Sequence, residues 1–117
     1  MNSKERLKLS WKITNHINKK FCKNRLIIDK ILFFNSIRKS KGCGVVHGFY
    51  DSNSKMIGIK NDISLIEQIE TLCHELTHAY QHQIEKNNKL VHNKVGNKIF
   101  SKFMKSTEDI LKISLSR

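Results

Sequence analysis

Residues 74–78 read His-Glu-Leu-Thr-His. On a helix, positions i and i+4 lie one turn apart on the same face, so the imidazoles of His74 and His78 can reach one ion. Zinc accepts imidazole nitrogen at about 2.0–2.1 Å and suits the tetrahedral geometry that such a pair begins. Glu75 follows the first histidine and is turned about 100° from it, near the ion without binding it. There it can take a proton from water and pass it to a leaving amine, which is the chemistry of metal-assisted hydrolysis. With six His and six Glu in 117 residues, about 0.015 matches are expected by chance, so composition does not explain the motif. Either histidine alone would read as a surface or core residue with satisfied hydrogen bonds. The pair around Glu75 carries the inference.

A catalytic zinc wants a third protein ligand. His82 continues the i+4 series, but His74 to His82 spans about 12 Å along a helix axis. Three ligands in that row do not converge on one tetrahedral ion, so His82 reads as exposed or supporting. His92 follows a turn-like loop and opens the next helix, so the chain can fold back and present it from another direction. Glu108 and Asp109 are the carboxylate alternatives. His16 and His47 lie far off in sequence and read as structural or surface residues.

The elements that must position these groups can be traced along the chain. Residues 4–23 carry Leu7, Trp11, Ile17 and Phe21 near helical spacing, an amphipathic helix whose apolar stripe, Trp11 included, belongs to the core. Residues 25–35, 44–50 and 55–60 have strand character, and Asp51-Ser52-Asn53-Ser54 offers the turn of a hairpin between the last two. Ser64 and Glu67 form an S-x-x-E capping box that starts the second helix. On its wheel Leu65, Ile69, Leu72, Cys73, Leu76, Tyr80 and Ile84 share one face, and His74, Glu75 and His78 lie along the other. A loop at 85–91 leads to a last helix over 93–115, with a break expected near Ser106. The order is helix, three strands, helix, loop, helix, an α+β arrangement.

A chain of 117 residues fits a single domain over 1–117. With 38% hydrophobic and 27% charged residues, it reads as a soluble globular protein. No apolar run approaches the roughly 20 residues of a membrane span. The N-terminus lacks the apolar region of a secretory signal, so an intracellular, cytoplasmic location is expected. Cys22, Cys43 and Cys73 are odd in number and form no C-x-x-C pair, which points to buried thiols rather than disulfides or a zinc ribbon.

The net charge of +12 is uneven: +11 over residues 1–60, −5 over 61–85 and +6 over 86–117. The acidic segment holds the histidine pair, where negative charge favours a divalent cation. The basic flanks could attract nucleic acid or another polyanion. However, no aromatic residues interleave with a basic run as a stacking platform would need.

The stretch 70–103, ETLCHELTHAYQHQIEKNNKLVHNKVGNKIFSKF, resembles the SprT-like (Spartan-type) family of zincin metallopeptidases. That family's pattern is H-E-x-x-H, often followed by Ala and an aromatic, then a third His about 13–15 residues later, usually in H-G-x-x-F. His74, Glu75, His78, Ala79 and Tyr80 match the first part, and His92 stands 14 residues after His78. Asn93 replaces the Gly, and the expected Phe falls on Gly96, with Phe100 one turn on to fill its place. The cysteine zinc ribbon of many members is missing. The metzincin pattern fails, because Ile84 stands where its third His is required.

The resemblance implies a zincin-like fold, Zn2+ held by His74, His78 and His92, Glu75 as the catalytic residue, and protein or peptide substrates, including DNA-associated proteins. In a zincin the strand at 55–60 would be the sheet edge beside the cleft, where an extended substrate pairs. Two other classes stay open: a basic nucleic-acid-binding or accessory protein with a structural zinc, and a degenerate zincin that binds peptides without cutting them. The latter gains from the want of an oxyanion stabiliser, since Tyr80 falls on the apolar face.

Overall fold

The computed structural model describes residues 2–35, 47–86 and 94–115. Their order is α1 (Ser3–Phe21), β1 (Lys30–Phe34), β2 (Gly48–Asp51), β3 (Met56–Lys60), α2 (Leu65–Gln83) and α3 (Lys94–Leu115). This is the α+β arrangement expected: an N-terminal helix, a three-stranded mixed sheet and two C-terminal helices. Among the described residues no helix is long and apolar enough to cross a membrane.

Two of the three helices begin at caps that their own sequences supply. Asn2 caps α1 by accepting the Glu5 amide, and its face of Leu9, Ile13 and Ile17 is buried. Ser64 caps α2 with the full reciprocal box: its hydroxyl accepts from Glu67 N–H, and the Glu67 carboxylate accepts from Ser64 N–H, both at 3.2 Å. Those bonds from Ser64 hold the Glu67 carboxyl below the usual carboxylate range. The expected break in α3 is absent, and the helix runs through Ser106 unbroken. One local and one long-range bond occupy the hydroxyls there. Thr107 Oγ1 donates to the Phe103 carbonyl at 2.7 Å, and Ser106 Oγ shares a 2.6 Å bond with His16 Nε2 of α1. Buried hydroxyls satisfied this way do not compete with the helix ladder.

The hairpin forms as read. Asp51 Oδ1 accepts the Asn53 amide at 3.0 Å, Lys55 takes φ 55°, and β2 pairs antiparallel with β3. The expected strand over 25–35 is shorter, starting at Lys30. Upstream, side-chain amides take the backbone groups that a neighbouring strand would otherwise need. Asn18 bonds both N–H and C=O of Leu26 at 2.9 and 2.8 Å. Gln83, on the last turn of α2, does the same for Ile27 at 2.7 Å each.

The sheet order corrects the expectation for residues 55–60. β1 joins β3 in parallel, giving β1-β3-β2, so β3 is the central strand and not an edge. Its backbone groups are committed to neighbours on both sides and cannot receive a substrate. The strand at the edge beside α2 is β2.

One core unites the layers. Ile31, Ile57, Ile59 and Tyr50 face the helices, and Phe103 sits between Phe21 and Tyr80 at ring-centroid distances of 5.4 and 6.0 Å. α2 is buried on both sides, since Thr71, Glu75 and His78 are covered as well as Leu72 and Leu76. The wheel gave the apolar face correctly and missed that the polar side packs against the sheet. Cys22 and Cys73 are buried free thiols pushed up to about 11 by burial, and Cys43 lies outside the described residues.

Candidate metal centre

α2 carries the centre. His74, Glu75 and His78 present one ligand atom each, all within 4.8 Å of one another, and form the one such group among the described residues. The imidazoles meet edge to face, with centroids 4.5 Å apart, as a one-turn separation on a helix face demands. His74 Nδ1–H donates to Glu75 Oε2 at 3.0 Å. With Nδ1 turned to the carboxylate, Nε2 is the nitrogen of His74 that would ligate an ion.

Burial gives the centre a closed floor and an open side. Glu75 is 5% exposed and His78 8%, whereas the His74 side chain is 40% exposed. Two imidazoles on one helix face are donors suited to a divalent ion of zinc's class, and the Glu75 carboxylate stands beside them.

Two further elements shape the centre. Phe100, on α3, sets its ring edge-on to His74 at 6.3 Å. Gly48 brings the start of β2 against α2. A Cβ there would overlap the Thr71 methyl and stand 2.8 Å from the Gly58 carbonyl oxygen, with Glu75 Cγ 3.6 Å away. The sequence offered a signal for Gly48 that went unused: a lone glycine inside a strand pattern marks close backbone approach.

The remaining candidates fall elsewhere. His92 lies outside the described residues. Glu108 and Asp109 are exposed on α3 and not part of the group. His82, one turn beyond His78, faces the Tyr50 ring at 6.1 Å and stays out of the cluster. His16 bonds Ser106, and His47 Nδ1 lies 3.7 Å from Glu67 Oε2. Tyr80 packs on the core as its position on the wheel implied.

Gly48→Ala is expected to destabilise the fold by about 1–3 kcal/mol, the usual cost of overpacking. Urea denaturation of Gly48→Ala beside Thr71→Ser and the double variant checks this. Removing the Thr71 methyl should recover part of the loss and no more, because the Gly58 carbonyl still crowds the new Cβ.

Comparison of the chain with protein-family models, with curated proteins and with solved structures yields no match in any of the three.

Proposed function

We propose that this chain is a zinc-dependent metallopeptidase of the SprT-like kind, a zincin in which His74, His78 and His92 hold the metal and Glu75 does the proton work. The observation that carries the reading is the His74-Glu75-His78 group, assembled on a capped helix beside β2, an edge strand among the described residues. Zinc, when bound, supplies Lewis-acid polarisation of the scissile carbonyl. Glu75 takes a proton from the attacking water and delivers it to the leaving amine. The bond from His74 to Glu75 Oε2 and the edge of Phe100 hold the first imidazole in orientation.

β2 supports an extended peptide. Lys60 N–H donates to the His47 carbonyl at 2.7 Å, so by antiparallel alternation the backbone groups of Gly48 and Tyr50 point away from β3. A substrate strand added there would run past Glu75, held by main-chain bonds and tolerant of side-chain identity. The charge of +12 agrees with substrates associated with DNA.

One observation favours a second reading, a zincin that holds peptides without cutting them. Tyr80 is turned into the core against Phe103 and is out of place as an oxyanion donor.

Elemental analysis tests the metal assignment. One zinc per chain is expected in the wild type, with clear loss in His74→Ala, His78→Ala and His92→Ala. No zinc in the wild type, or full retention in His92→Ala, overturns the three-histidine site.

A further inference from the structure

The polar face of α1 has no role in the metal centre, and its charge is almost entirely positive. Between residues 2 and 25 the chain carries eight Lys/Arg against one acid, Glu5. On the helix, Lys4, Lys8, Lys12, Asn15 and Lys19 fall within a stripe about 80° wide. All five are exposed. Successive lysines from Lys4 to Lys12 are about 6 Å apart, and the row to Lys19 runs about 22 Å. Among the described residues no carboxylate ion-pairs with Lys4, Lys8 or Lys19.

The opposite face of the helix decides between polyanions. A basic helix that lies on a membrane inserts its apolar face among the lipids. Here that face is spent: Leu9, Ile13 and Ile17 are 6%, 0% and 0% exposed in the core. A protein partner needs apolar or aromatic anchors. Among the described residues the exposed large hydrophobic ones are Ile27, Leu32, Ile66 and Val95, and none lies on α1. What remains is a straight row of point charges, and a phosphodiester backbone asks for little else. A duplex presents one phosphate per about 3.4 Å of axis on each strand, so a row of lysines about 22 Å long spans several of them.

We propose that the solvent face of α1 is a nucleic-acid-backbone interface, in which Lys4, Lys8, Lys12 and Lys19 bind phosphates without reading bases. It does not rest on the peptidase reading. Phosphate contact alone carries no sequence information, so binding is non-specific and strongly dependent on salt. α3 offers an internal control. Lys98, Lys102 and Lys105 form a similar exposed row, but Glu108 and Asp109 follow it on the same helix.

The test is fluorescence anisotropy of a labelled duplex of arbitrary sequence, titrated with the wild-type chain across salt. Four phosphate contacts predict a log–log salt slope near −3.6, which is a loss of about 100-fold between 50 and 200 mM. The Lys8→Gln, Lys12→Gln, Lys19→Gln variant should lower the slope by about 2.7. The Lys98→Gln, Lys102→Gln, Lys105→Gln variant, with the same change in net charge, should bind much as the wild type does. Circular dichroism confirms that both variants are folded. Equal losses in the two variants would reduce the effect to net charge and overturn the assignment. So would wild-type chain that ignores the duplex yet binds anionic phosphatidylserine vesicles through the same lysines.

Discussion

Replacing Glu75 with Gln is expected to lower peptide hydrolysis by about 10²–10⁴-fold, the usual range for a lost general acid–base, while bound zinc stays at wild-type content. The substitution keeps the volume of a side chain that is 5% exposed, and its amide oxygen can still accept from His74 Nδ1. The first imidazole therefore keeps its orientation, and what disappears is the capacity to take and return a proton. The loss should fall on kcat, with KM little changed, because the carboxylate acts as charge develops. Cleavage that survives in Glu75→Gln would remove Glu75 from the chemistry. Peptide binding without cleavage in the wild type would select the non-cutting zincin.

The second large effect lies in the core. Phe103→Ala should cost about 3–5 kcal/mol, the range for truncating a buried aromatic. Phe103 is 1% exposed and ties α3 to both other helices, through Phe21 of α1 and Tyr80 of α2. A domain of this size has about 5–15 kcal/mol in all, so the variant should be near the edge of folding. Urea denaturation measures the difference, and Phe103→Leu, which keeps most of the volume, should lose far less. Because Phe100 is one turn away on the same helix, Phe103→Ala should also loosen the packing that orients His74.

The legible parts of the molecule were those written in local code. α2 could be read because its cap, Ser64 with Glu67, and its histidines at i and i+4 lie within one element. The hairpin was legible in the turn residues at 51–54. What failed depended on contacts far apart in sequence. The edge assignment for residues 55–60 went wrong because a hairpin fixes β2 beside β3, yet nothing local says on which side β1 will join. Residues 25–29 looked like strand by composition. At Leu26 and Ile27 the backbone is instead held by Asn18 and by Gln83, the latter 56 residues from Ile27 in sequence. The covered side of α2 was hidden because Thr71, Glu75 and His78 are polar residues that reach burial through the sheet. Gly48 was visible as a residue type, but its neighbour Thr71 was not.

The clasp made by Gln83 gives the molecule a built-in reporter. Its amide spans the Ile27 backbone on one side and the Tyr50 hydroxyl on the other, the latter at 2.9 Å. When the last turn of the histidine-bearing helix opens, the Ile27 amide loses its acceptor at the same moment. Hydrogen exchange at Ile27, a half-exposed residue in an otherwise unremarkable stretch, would therefore track local opening of that helix end. A single backbone resonance could follow how tightly the end of the metal-site helix is clamped against the strand beside Glu75.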